Sequence, residues 1–199
     1  MLRRTTTPAG LSAIYSEGIN LAEWHRPGSA AVRGFASELV RHNPNFSLRQ
    51  VLPVDDDENA LASLIPEADK TLQHARIAFL QDIRLLCDMY ACLFELQQIG
   101  LRMTVLNRAM CPKFHVDHVV CRLICTYVGT GTEWLPESSV NREGPDLQKA
   151  ADIQHVNEGH VALLKGESWP GNTGRGIVHR SPAASDSQPR LVMTLDPVA

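Results

Sequence analysis

The run Cys111-Pro112-Lys113-Phe114-His115-Val116-Asp117-His118 decides how this chain is read. One residue separates His115 from Asp117. In extended backbone, side chains at i and i+2 leave the same face of the strand. An imidazole and a carboxylate then enter one space, about 6–7 Å apart at Cα. His179 ends the apolar approach Gly176-Ile177-Val178-His179. On a neighbouring strand it completes a two-histidine, one-carboxylate set, which leaves open metal positions and suits non-haem Fe(II). Arg190 follows eleven residues later. Its planar, always-charged fork matches a carboxylate in a bidentate pair.

Downstream of Gly100, strand-like segments alternate with turns. They are Leu101–Leu106, Val119–Tyr127, Ile153–Val156, Val161–Leu164, Gly176–His179 and Leu191–Leu195, punctuated by Gly and Pro. Many short strands at this spacing predict a sandwich or small barrel. On the last of them Arg190, Val192 and Thr194 share a face, so Thr194 is expected to line the same pocket as Arg190. Cys121 and Cys125 are expected in the core. Trp134 and Trp169 are candidates for the pocket wall, with packing under a loop as the alternative. The glycine-bearing segment 171–176 reads as a candidate lid.

Upstream of Gly100 the pattern is helical. Ser29 is placed to cap a helix from Ala30 to about His42, with Val32, Phe35, Leu39 and Val40 on one side. The run Asp55-Asp56-Asp57-Glu58 reads as a solvated helix start, since acids favour that end. From Glu67 to Ile99 there is no Gly or Pro. Leu72, Phe79, Leu86 and Leu93 recur every seven residues, with Ile83, Tyr90 and Phe94 on the same side. This predicts one long helix or two, ended by Gly100 and packed on a sheet. Residues 46–54 are ambiguous, and residues 1–8 read as a loose tail.

With these residues in view, a resemblance emerges. His115-Val116-Asp117, then Gly159-His160-Val161-Ala162-Leu163-Leu164-Lys165-Gly166, then His179 and Arg190, resemble the jelly-roll core of the Fe(II)/2-oxoglutarate-dependent dioxygenases. The whole chain also resembles an uncharacterised bacterial protein family. The first resemblance covers residues 101–199 and implies a double-stranded β-helix there (jelly roll, cupin-like); with the helical pattern of residues 1–100 packed on it, the expected fold is α+β. It implies Fe(II) on His115, Asp117 and His179, and 2-oxoglutarate clamped by Arg190. Oxidative decarboxylation to succinate and CO₂ would then drive oxidation of an unnamed small-molecule or protein substrate. Three positions depart from the pattern. His160 stands where aspartate is usual, Val192 where serine is frequent, and His118 directly after the His-x-Asp pair.

Other readings of the same residues stay open. His118 is a possible fourth ligand, which would make the protein a zinc-binding or sensing module on the same fold. Cys111, His115, His118 and Cys121 form an alternative zinc set. An exposed stripe on the long helix would indicate an interaction protein. The 199 residues carry a net charge of −3 with no long basic run, which gives no support to nucleic-acid binding. No apolar stretch reaches membrane-span length. Five irregularly spaced cysteines do not make a disulfide framework, so a reducing, cytoplasmic setting is expected. A homodimer is left open. The segment 171–176 lacks a P-loop lysine, and Ser181 has no nucleophile-elbow context.

Overall fold

A computed structural model gives the fold, and it describes residues 1–54, 58–144, 146–150 and 152–198. Among the described residues, ten strands and three α-helices follow one another. They are β1 (Leu2–Thr5), β2 (Leu21–Trp24), α1 (Ala30–His42), β3 (Ser47–Pro53), α2 (Glu58–Leu64), α3 (Gln73–Phe94), β4 (Gln98–Leu106), β5 (Cys121–Val128), β6 (Glu133–Trp134), β7 (Gln154–His155), β8 (Val161–Lys165), β9 (His179–Arg180) and β10 (Arg190–Pro197). A seven-stranded sheet has the order β1-β2-β8-β5-β10-β4-β3, and a smaller one the order β7-β6-β9. Leu21, Ile124, Ala162 and Leu164 from the large sheet pack with Trp134, Val156 and Ile177, closing the two layers face to face.

The outer face of the large sheet carries α1 and α3. Phe79, Ile83, Leu86 and Tyr90 of α3 have no exposed surface. They pack with Leu123, Cys125, Leu163 and Met193 of the sheet. Each such side chain contributes about 1.5–3 kcal/mol by leaving water. The heptad stripe is therefore core, and the docking-helix reading has no exposed stripe to stand on; Ile77 and Leu85 are the large apolar residues of α3 left in solvent. Helix α1 begins as the sequence predicts: Ser29 Oγ accepts the Val32 amide.

Three expectations need correction. The N-terminal half is not simply a helical cover, because it supplies β1, β2 and β3 to the large sheet. Strands β1 and β3 are edge strands with mostly exposed or half-exposed residues, so they lack the apolar run that marks a buried strand. Residues 2–5 are likewise not a tail; they run parallel to β2 in register Leu2↔Leu21 to Thr5↔Trp24. The long helix ends at Phe94, where Glu95 takes a left-handed turn at φ 53°, and Gly100 instead lies in β4 opposite Asp196. A non-glycine residue in that turn leaves no sequence signal. The acidic residues 55–57 lie outside the described residues.

Candidate metal centre

His115 reaches the site through a single strand-like bridge. Its amide donates to the His179 carbonyl at 3.0 Å, and the His179 amide returns the bond at 2.9 Å. This pairing stands the two imidazoles side by side, with ring centroids 4.6 Å apart. Asp117 is held from behind: its carbonyl accepts the Glu167 amide at 2.8 Å. Gly166 makes that approach feasible. A Cβ there would sit 2.0 Å from the Val119 carbonyl oxygen and 2.7 Å from that of Asp117.

Hydrogen bonds fix which imidazole nitrogens face the centre. His115 Nδ1 lies 3.0 Å from the Lys113 carbonyl, and His179 Nδ1 lies 3.1 Å from that of Ile177. A carbonyl only accepts, so each Nδ1 carries a proton and, in the neutral ring, each Nε2 presents a lone pair. His179 Nε2 is 3.3 Å from Asp117 Oδ2, and His115 Nε2 is 3.9 Å from Oδ1. The three ligand atoms all fall within 4.8 Å of one another. Lone pairs and a carboxylate converging on one point repel unless a cation sits among them. A second proton supplies that cation at low pH; a metal ion supplies it when the rings are neutral.

The electrostatics favour the ligand state of each group. Burial pushes the Asp117 carboxyl up, but the hydrogen bond and charge of His179, together with Arg122 and His115, hold it down at about 2. Burial lowers His115 below its ordinary value; the Lys113 carbonyl and Asp117 pull the other way, and His179 and Arg122 act with burial. Arg122 Nη1 donates to Asp117 Oδ2 at 2.7 Å. Its Nε and Nη2 grip Asp196 at 2.8 Å each, so the guanidinium cannot swing away from the aspartate it orients.

Arg190 is 2 % exposed. Its Nε donates to the Thr130 carbonyl at 2.5 Å, Nη1 to Ser181 Oγ at 2.8 Å and Nη2 to Thr126 Oγ1 at 3.4 Å. Every one of these acceptors is neutral. Burial lowers its hold on the proton to about 10, against the pull of Glu133. Glu133 itself is bound to Arg180 at 2.5 Å. A buried guanidinium without a carboxylate partner among the described residues is costly unless an anion arrives. Arg190 lines a cavity of about 160 Å³ together with His115, Arg122, His179, Val192 and Thr194.

The remaining expected residues lie elsewhere. His118 is exposed, and its carbonyl accepts from Ser168. It joins no metal-ligating group among the described residues. Cys121 is buried on the opposite side of β5, where burial pushes its thiol up, so the Cys111-His115-His118-Cys121 set does not assemble. Trp134 is core between the sheets, and Trp169 packs on Tyr15 and Phe94 away from the cavity. The segment 171–176 is tied down: Glu167 accepts the amides of Gly174 and Gly176, and Asn172 donates to the Gly166 carbonyl. Arg122, Thr126 and Ser181 are site residues that the sequence reading did not pick out. Ser181, two residues past His179, supplies a hydroxyl to Arg190 although position 192 is valine.

The double-layered sheet is the fold of the 2-oxoglutarate–Fe(II) oxygenases. A dioxygenase for auxin oxidation from rice is similar over 100% of this chain and 82% of its own, at 12% identity and a TM-score of 0.56. A putative oxygenase from Shewanella oneidensis is similar over 99% and 88%, at 9% identity and a TM-score of 0.52. Neurospora crassa T7H in complex with alpha-KG is similar over 98% and 83%, at 10% identity and a TM-score of 0.50. The chain belongs to the family described as protein of unknown function (DUF1826), whose pattern it matches over residues 5–196. A comparison with curated proteins gave no match. Among the described residues, no helix is long and apolar enough to cross a membrane.

Proposed function

We propose that this protein is a non-haem Fe(II)/2-oxoglutarate-dependent oxygenase with its metal on His115, Asp117 and His179. One observation carries the reading: two Nε2 lone pairs and a carboxylate converge beside a cavity lined by a buried guanidinium with no carboxylate partner among the described residues. Two nitrogens and one oxygen leave open positions on Fe(II). Bound iron and 2-oxoglutarate would supply the oxidising chemistry. The chain's own residues bind and orient. Arg122 keeps Asp117 ionised and aimed, and the Lys113 and Ile177 carbonyls hold the ring proton of each neutral imidazole on Nδ1, so that Nε2 is the atom turned to the metal. Arg190, steadied by Ser181, Thr126 and Thr130, pairs with the distal carboxylate of the cosubstrate, and Thr194 lines the same wall. Backbone–backbone pairing of positions 115 and 179 makes the ligand geometry rigid before the metal arrives.

The test is succinate release from 2-oxoglutarate by anaerobically reconstituted protein exposed to oxygen. Iron-dependent succinate, lost in His179→Ala, is the expected result. Tight zinc binding with no succinate at any iron loading would favour the metal-sensing reading instead.

A further inference from the structure

A second cluster of the same composition lies on the inner face of the large sheet, two strands from β5. Leu21, Glu23 and His25 alternate along β2 and its extension, so Glu23 and His25 point the way Leu21 does, towards the interior. His160 precedes β8, in which Trp24 pairs with Val161. Glu23 is 1 % exposed. His160 Nδ1 lies 3.1 Å from its Oε1, and His25 Nε2 lies 2.9 Å from its Oε2. The ligand atoms of the three residues are all within 4.8 Å of one another.

Two features separate this cluster from an ordinary buried carboxylate with donors around it. The first is the His25 nitrogen. It is buried and close to Glu23, yet no hydrogen bond is aligned on it among the described residues. A ring nitrogen that approaches an oxygen without pointing at it is placed for a shared third atom. The second is ring geometry. The His25 and His160 centroids are 4.3 Å apart, close to the 4.6 Å of His115 and His179. Two imidazoles on one tetrahedral zinc, each nitrogen about 2.1 Å from it, put their centroids about 5 Å apart, so these rings need to part by less than about 1 Å to share the ion.

The backbone around the cluster is fixed. The His25 amide donates to the Thr5 carbonyl at 2.8 Å. Next to it, Arg26 grips Asp82 and donates to the Gly159 carbonyl at 2.7 Å, so the residues before His160 are pinned to the residue after His25. Among the described residues, Arg4 is the other group on Glu23. It reaches Glu23 Oε2 at 3.2 Å from a side chain that is half exposed, and it can turn out to solvent when a cation takes that oxygen.

We infer that Glu23, His25 and His160 form a second metal site, which takes a divalent cation of the zinc class and ties the β1–β2 edge to β8. Three protein ligands plus a water satisfy zinc. The inference stands independently of the oxygenase reading, because it uses no residue of the first centre.

Metal-stripped full-length protein is loaded with Zn²⁺, desalted and assayed for metal per chain. Two equivalents are expected for the wild type, one for His115→Ala/His179→Ala, and one for His25→Ala/His160→Ala. Glu23→Gln, nearly the same shape, repeats the last test should the double variant fail to fold. Titration with Co²⁺ should give two distinct visible absorption components in the wild type and one in each variant. Wild-type stoichiometry in both Glu23→Gln and His25→Ala/His160→Ala would overturn the inference. So would absence of bound metal in folded His115→Ala/His179→Ala.

Discussion

Replacing Arg190 by methionine separates a binding role from a structural one, because the two predict opposite balances. The guanidinium is 2 % exposed and burial lowers its pKa from 12.5 to about 10. That drop corresponds to about 3 kcal/mol borne by the charged form on folding. Methionine removes this cost. It also removes three hydrogen bonds, to Thr130, Ser181 and Thr126. At about 1.5 kcal/mol each from a charged donor, these slightly outweigh the gain. The stability of metal-free Arg190→Met should therefore lie within about 2 kcal/mol of wild type by urea unfolding. Affinity for 2-oxoglutarate should fall much further. Truncating one partner of a buried charge pair costs about 2–5 kcal/mol, or at least about 30-fold in Kd. Anaerobic calorimetry on Mn(II)-loaded protein measures that affinity. An unchanged Kd refutes the clamp, and a stability loss beyond about 4 kcal/mol with unchanged Kd assigns the arginine to the core.

Further outcomes follow from the same geometry. His179→Ala should abolish Fe(II) binding at neutral pH, as read by metal analysis after desalting; full retention would remove it from the centre. Arg122→Gln frees Asp117 from its orienting partner and should weaken metal binding by about 10–100-fold, measured by competition with a chelator. Gly166→Ala drives a Cβ against the Val119 and Asp117 carbonyls, so both thermal stability and metal affinity should drop. Asp117 titrates lower folded (about 2) than unfolded (3.8). Its contribution, about 2 kcal/mol, is present above pH 4 and is lost as pH falls towards 2. Metal-free wild type should lose about two thirds of that between pH 5 and 2.5 relative to Asp117→Asn, and equal acid sensitivity in the two proteins would contradict the shift.

The parts of this molecule that were legible in the sequence are those whose signal is local. The strands β4, β5, β8 and β10 alternate or run apolar because they are buried. Helix α1 announces its cap at Ser29, and the stripe of α3 repeats on one face. His115-Val116-Asp117 is legible because a period of two places both side chains together. Strands β1 and β3 stayed hidden since an edge strand keeps polar residues on view. The end of α3 stayed hidden because Glu95, not a glycine, takes the left-handed turn. Arg122 could not be picked out either: its partner Asp196 is 74 residues away, and only the antiparallel pairing of β5 with β10 brings them together. The same holds for Glu23 and His160, 137 residues apart in sequence and 3.1 Å apart in space. Trp134 and Trp169 both sit in turn-rich stretches, which does not separate a pocket wall from packing under a loop; Trp134 packs between the sheets and Trp169 on Tyr15 and Phe94.

The most direct measurement is a crystal structure of the protein grown anaerobically with Mn(II) and 2-oxoglutarate. A cation about 2.0–2.2 Å from His115 Nε2, Asp117 and His179 Nε2, with a carboxylate paired to Arg190, is the predicted result. A cation held elsewhere, or 2-oxoglutarate bound without touching Arg190, would contradict it.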